Sequence, residues 1–426
     1  MQDEPTQEAG ALLPYEWPGS YFIGEEEMDA VGKVLHARSL FRYYGHDLQH
    51  YADRVEAFYR ERLGRRYAIA VNSGTAALVV ALAAADVGPG DEVLLPGYLW
   101  VSCISAVCQL GAIPRLVEID DTFTMDPADL EARIGPHSKA VLLVHMSGAC
   151  GEVERIAEIC KRRGVTLIED VAQANGAAYR GRPLGSFGDL AIFSFQYNKN
   201  ATCGEGGLVA CDDETIANRA WAVHDLGYGR NAAGRLDPNG PVQTWGRGSR
   251  MSELAAAVLL AQLKKLDTIT GAMRRWNHRL YDGLAQIPGI TPRRRVDPAG
   301  DSGPFVLITF PSGEICAEMV RRTRAAGVRP GPHGAGNLRM TDWGLHIYYN
   351  NVSLTEKRAT NAAGRPWSDP LNAFATDYTY GKGTLPRMDD LIERSALITV
   401  PPALNEELCD RIVAIYRDCA AQVGSG

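Results

Sequence analysis

Between Tyr67 and Ala210, short apolar runs alternate with stretches of helical spacing, and this alternation restricts the fold more than any other feature of the 426-residue chain. The spacing predicts strands over Tyr67–Val71, Glu92–Leu95, Pro114–Ile119, Ala140–His145, Thr166–Glu169, Leu190–Phe195 and Leu208–Ala210. Helical spacing falls between them, over Thr75–Ala85, Val101–Leu110, Pro127–Ile134 and Val153–Arg163. Parallel neighbours need a crossover connection, and a helix is the compact one, so this rhythm implies an α/β fold: a mainly parallel sheet flanked by helices. Ligands of such sheets gather at the carboxyl ends of the strands.

The residues at those ends carry the chemistry. After the first strand comes Asn72-Ser73-Gly74-Thr75, a small polar turn opening a helix, where free N–H groups and hydroxyls can hold a phosphate; the same residues also read as an ordinary N-cap. After the second strand, Trp100 offers a flat indole, either as a stacking plane or as core. The fifth ends on Glu169-Asp170, a carboxylate at the end of a buried strand, which is costly unless a cation or donors meet it. The sixth runs into Ser194, then a polar turn with a single lysine, Lys199, and a glycine-rich segment around Glu205. Desolvation of a lysine past a buried strand favours the neutral amine, the form that attacks a carbonyl in Schiff-base chemistry. One ligand accounts for the set. A phosphate cradle (Ser73, Gly74, Thr75), a stacking plane (Trp100), a buried acid (Asp170), a second hydroxyl (Ser194) and a Schiff-base lysine (Lys199) fit pyridoxal 5'-phosphate, which withdraws electrons while a carboxylate keeps its ring nitrogen protonated.

The rest of the chain frames this segment. Residues 1–20 read as a loose arm, followed by a helix from Gly24-Glu25 and a second from Asp47, as N-cap, to Leu63. Between the two lies Ser39-Leu40-Phe41-Arg42-Tyr43-Tyr44-Gly45, a packed or a substrate-facing loop. A single long helix is predicted over Met251–Ile287, as a spine into a smaller α+β domain with strands near Phe305–Phe310 and Ala396–Val400 and helices at 313–326 and 404–421. This gives a large domain over 1–265 and a small one over 266–426, the latter carrying an insertion, 331–385, rich in aromatic and amide residues. A net charge of -7 with mixed signs offers no basic stripe for nucleic acid and no polybasic membrane anchor. Nine cysteines without a C-x-x-C pair suit reduced thiols in a cytoplasmic protein and neither a disulfide framework nor a zinc site, so no metal is expected.

Read together, NSGTAAL, GDEVLLPGYLW, LVHMSGACG, IEDVAQANGA, GDLAIFSFQYNKNATCGEGG and SRMSELAAAVLLAQLKKLD resemble, in order and over nearly the whole chain, the DegT/DnrJ/EryC1/StrS aminotransferases. The resemblance implies the fold-type I architecture of pyridoxal-phosphate enzymes, transamination of keto-sugars or keto-cyclitols, and a homodimer with shared sites. Carried over by residue, it gives Lys199 as the covalent anchor of the cofactor, Asp170 at the pyridine nitrogen, Gln173 on the phenolic side, Trp100 on the ring, and Gly74, Thr75 and Ser194 at the phosphate. Three positions depart from the family. Gly248 in GRGSRM replaces an asparagine that reaches the partner's phosphate, Asn175 replaces a histidine, and Gln196 follows Ser-Phe as in the branch acting on cyclitols or aminoshikimate-type ketones.

The resulting expectation is an aminotransferase that moves an amino group from glutamate or glutamine to a ketone on a sugar or cyclitol, passing through pyridoxamine 5'-phosphate. Substrate recognition is expected from Arg42, Tyr43, Tyr44 and His346, with Arg42 gripping either the donor carboxylate or the ketone substrate. Lys199 speaks against the dehydrating relatives, which carry histidine there, and no helix-turn-helix or basic segment flanks the domain as a regulator on this scaffold would require. Cyclisation or decarboxylation would use the same lysine and aspartate and stays open.

Overall fold

The structure, a computed structural model, describes residues 10–14, 17–330 and 336–423. Among the described residues, thirteen strands form three sheets. They are β1 (Tyr67–Val71), β2 (Glu92–Pro96), β3 (Ile113–Val117), β4 (Ser138–Val144), β5 (Thr166–Asp170), β6 (Ala178–Tyr179), β7 (Arg182–Pro183), β8 (Leu190–Ser194), β9 (Gly207–Cys211), β10 (Thr291–Pro292), β11 (Phe305–Thr309), β12 (Leu338–Arg339) and β13 (Ser395–Thr399).

The main sheet has the order β1-β9-β8-β5-β4-β2-β3, and each strand predicted between Tyr67 and Ala210 is present in it. Six strands run one way and β9 runs against both neighbours. Side-chain alternation divides its buried residues between two cores. Ile69, Val93, Leu142, Ile168, Ile192 and Val209 enter one face, packed with the helix Gly74–Ala84. Ala68, Leu94, Val141, Leu167, Phe193 and Leu208 enter the other, packed with the helices Tyr51–Leu63, Val153–Arg163 and Glu253–Leu263. Strands apolar on both sides need helices on both sides, and the period-two division shows how five-residue runs meet that need. The smaller sheet, β10-β11-β13-β12, is antiparallel and shares a third core with the helices Leu266–Ala285, Gly313–Ala325 and Glu406–Val423.

Three expectations are corrected. The described part of the first twenty residues is not a loose arm: Leu12 and Leu13 are buried in the third core, their N–H groups donating to the carbonyls of Gly327 (2.9 Å) and Arg329 (3.2 Å). The helix expected from Asp47 begins at Tyr51. Its first N–H groups, of Tyr51 and Ala52, donate to the Glu253 carboxylate at 2.7 and 3.0 Å, so a residue remote in sequence provides the cap. The spine predicted over Met251–Ile287 is two helices, Glu253–Leu263 and Leu266–Ala285. The break falls at Lys264–Lys265, where Lys265 Nζ is drawn aside to the Phe22 carbonyl (2.8 Å) and to Glu27 (2.9 Å).

Candidate active site

A cavity of about 630 Å³ opens at the carboxyl ends of β1, β2, β4, β5 and β8. It is lined by Ser73, Gly74, Thr75, Trp100, Asp170, Gln173, Ser194 and Lys199, so the structure brings together all eight residues expected around the cofactor.

Each is positioned by its strand end. Ser73 caps the helix Gly74–Ala84, its Oγ accepting from Ala76 N at 3.0 Å, which directs the opening turn of that helix and its unpaired N–H groups to the cavity. Gly74 is required by close approach: a Cβ there would lie 2.6 Å from the Ser194 Cβ. The helix start and the end of β8 therefore meet as one polar cradle, with Thr75 Oγ1 donating to Ser102 Oγ at 3.0 Å. Gln173 Oε1 accepts from Ser147 N at 3.0 Å, and this leaves its amide N–H groups for a ligand. Trp100, at the start of the helix Val101–Gln109, keeps 41% of its surface exposed, as a stacking face must.

Asp170 is buried, and its carboxylate accepts one backbone N–H, from Ala172 at 2.9 Å, and the Cys103 thiol at 3.3 Å. Burial raises its pKa; these donors and the charge of Lys199 oppose the rise. A buried carboxylate held by so little calls for a cationic group in the cavity, which a protonated ring nitrogen supplies. Lys199 is partly open along its side chain, but protein crowds its amine. That desolvation lowers its pKa, and Asp170 pulls the other way. The backbone of Lys199 is pinned twice, its N–H to the Gln196 carbonyl (3.0 Å) and its carbonyl to Gly19 N (3.0 Å), so the N-terminal segment holds the lysine turn in place. A cradle for an anion, a flat face, an acid awaiting a cation and an amine biased towards neutrality fit a planar phosphorylated aldehyde with a basic ring nitrogen.

Of the four residues expected to read substrate, only His346 lines the cavity. Arg42 is buried, with Nη2 at 2.8 Å from Glu56 and 3.0 Å from Asp53. Tyr43 shares a hydrogen bond of 3.2 Å with His224 Nε2, and Tyr44 is exposed against Phe41. Arg42 thus holds its loop onto the helix Tyr51–Leu63.

Sequence reasoning missed Ser102, Cys103, Trp343, Phe305 and the N-terminal Pro14, Trp17 and Pro18, which also line the cavity. Ser102 and Cys103 share a helix start with Trp100, a spacing that the sequence does display. The others arrive through tertiary contacts that leave no local pattern. Of the departures, Gln196 lines the cavity and Gly248 adopts φ +64°. Asn175 is buried, taking a hydrogen bond from Tyr59 OH at 3.1 Å.

A profile of the DegT/DnrJ/EryC1/StrS aminotransferase family matches residues 22–364. Among solved structures, 3-amino-5-hydroxybenzoic acid synthase is 25% identical, with a TM-score of 0.77 over 96% of this chain and 98% of its own. The aminotransferase TlmJ of Streptoalloteichus hindustanus is 25% identical, with a TM-score of 0.74 over 94% of this chain and 97% of its own. DesV of S. venezuelae, solved with a ketimine intermediate, is 28% identical, with a TM-score of 0.73 over 93% and 94%. The chain belongs to the DegT/DnrJ/EryC1/StrS aminotransferase family and is an enzyme of its pyridoxal 5'-phosphate-dependent class.

Proposed function

We propose that this enzyme moves an amino group from glutamate or glutamine to the ketone carbon of a sugar or cyclitol. The observation that carries the reading is the pairing, in one cavity, of an amine desolvated towards neutrality, Lys199, with a buried and under-solvated acid, Asp170. Pyridoxal 5'-phosphate, when bound, supplies the electron sink for the carbon that loses its proton. Lys199 would anchor it covalently; once the donor's amine takes its place at the aldehyde carbon, the freed Nζ would take the α proton from the donor and, in the second half-reaction, give a proton to the former ketone carbon. Asp170 holds a proton at the ring nitrogen, and Gln173 donates to the phenolic oxygen. Trp100 covers the ring. Ser73, Gly74, Thr75 and Ser194 take the phosphate on the helix N-terminus. The N-terminal residues Pro14, Trp17 and Pro18 wall the cavity and exclude water.

The working unit in this reading is a homodimer. The exposed Trp245, at 93%, and Leu226, at 49%, lie on the segment leading to Gly248 and support a covering by a second copy. With Gly248 in place of asparagine, no side chain at that position reaches across.

Amine transfer is read directly with ¹⁵N-labelled glutamate and glutamine, offered to the cofactor-loaded protein with a panel of keto-sugars and keto-cyclitols. The reading expects ¹⁵N in a new amine on the ring and a keto acid from the donor. Release of carbon dioxide or water without ¹⁵N transfer would replace it with decarboxylation or dehydration.

A further inference from the structure

The turn after β4 holds a residue in a conformation that its side chain does not favour. Ser147, between Met146 and Gly148, adopts φ +60° and ψ +25°, the left-handed region that such a residue enters where its surroundings impose it. Gly148 follows at φ +81°, where a Cβ would collide with Pro304.

Groups remote in sequence impose the conformation. Tyr98 OH and Ser147 Oγ share a hydrogen bond of 2.8 Å, both residues being buried. Arg293, just past β10, is also buried and spreads its guanidinium over two successive carbonyls. Its Nη1 donates to Met146 O at 3.4 Å and its Nη2 to Ser147 O at 3.2 Å. Ser302 donates to the Gly148 carbonyl from its N–H (2.8 Å) and from its Oγ (3.1 Å). Arg293 is itself fixed to the smaller sheet, its N–H donating to the Leu307 carbonyl of β11 at 3.0 Å.

This turn meets the cavity through one peptide plane. The Met146 carbonyl and the Ser147 N–H belong to the same peptide and point in opposite directions. Arg293 grips the carbonyl side, and the N–H side donates to Gln173 Oε1 at 3.0 Å. An amide that accepts with its oxygen turns its nitrogen the other way, so the orientation of this peptide selects which end of Gln173 the cavity receives. With the peptide reversed, a carbonyl would face Gln173 and the amide would rotate to donate to it. Oε1 would then meet the phenolic oxygen of the cofactor, acceptor against acceptor.

We propose that Ser147 and Arg293 are positioning residues for that oxygen: they hold the Met146–Ser147 peptide so that Gln173 presents a donor to it. The inference rests on the place given to Gln173 in the reading above. Its consequence is electrostatic. The phenolic oxygen and the Lys199 nitrogen bonded to the cofactor share a proton. A donor from Gln173 stabilises the negative oxygen most once that proton has left, and so lowers the pH at which it leaves.

The test is a pH titration of the visible absorbance of the pyridoxal-phosphate-loaded protein, which reads the loss of that proton and needs no turnover. Gln173→Leu removes the donor and should raise the midpoint by about one pH unit, the size of one hydrogen bond to a charged oxygen. Arg293→Met releases both carbonyls and should raise the midpoint by about half a unit or more, yet add nothing in the Gln173→Leu background, because it acts through Gln173. An unchanged midpoint in either single variant would overturn the proposal. So would an Arg293→Met shift that persists without Gln173, since that is the loss of a positive charge alone. If Arg293→Met fails to fold, Ser147→Ala and Ser147→Gly decide. Both leave Tyr98 without its partner, so their difference reads the backbone: alanine is strained at this φ and should raise the midpoint, while glycine takes the conformation freely and should not. Equal midpoints in the two would then overturn the proposal. Failure of the aminotransferase reading is seen separately, by ¹⁵N transfer on the unaltered protein.

Discussion

At the scale of single residues, the site is built by forcing polar groups into company that does not satisfy them. Asp170 ends β5 with a thiol and one N–H for partners, and Lys199 ends its turn with its amine desolvated. Gly74 belongs to the same economy of space, because only a hydrogen atom fits where the helix Gly74–Ala84 meets Ser194. Gly74→Ala would place a methyl group 2.6 Å from the Ser194 Cβ, and relieving that overlap costs about 1–3 kcal/mol and moves the helix start off the proposed phosphate position. The expected outcome is a lower melting temperature together with weaker cofactor binding, by about tenfold or more in equilibrium dialysis. Unchanged affinity would mean that the phosphate is held elsewhere. These residues are legible in the sequence itself, since a strand end makes a polar residue conspicuous against its apolar run. Trp343 and Phe305 are not, because an aromatic residue in an aromatic-rich segment looks the same whether it lines a cavity or fills a core.

Elements are legible where their pattern is local and obscure where a distant partner decides. The strands of the main sheet announce themselves by apolar runs, and β1 to β5, β8 and β9 fall within two residues of their predicted bounds. The start of the helix Tyr51–Leu63 and the break at Lys264–Lys265 are set by Glu253 and by Glu27 with Phe22, partners about 200 residues away or more. The loop 39–45 makes the same point. Arg42 has a composition suited to substrate recognition, yet it is the buried cation that neutralises Glu56, whose carboxylate also accepts Ala70 N at 2.8 Å. Arg42→Ala leaves Glu56 buried and uncompensated, which should destabilise the protein by about 3–5 kcal/mol in denaturant unfolding. The Michaelis constants of donor and acceptor should change little in the fraction that folds. A large, selective rise in the donor's constant at unchanged stability would return Arg42 to the substrate site.

At the scale of the whole molecule, a main sheet with helix-covered faces fixes the strand ends, and a smaller sheet, an N-terminal segment and the insertion close the cavity over them. The division of labour follows from the parts: the main sheet carries the residues proposed to hold the cofactor, while the covering pieces bring Phe305, Trp343 and His346. Among the described residues, no helix is long and apolar enough to cross a membrane. The proposed mechanism depends on a covalent bond from Lys199 to the cofactor in this cavity. Borohydride reduction of the pyridoxal-phosphate-loaded protein, followed by peptide mass mapping, tests it most directly. A single phosphopyridoxyl group is expected on the peptide containing Lys199, abolished by prior incubation with the amino donor; a label on another lysine, or none, would rule out Lys199 as the anchor.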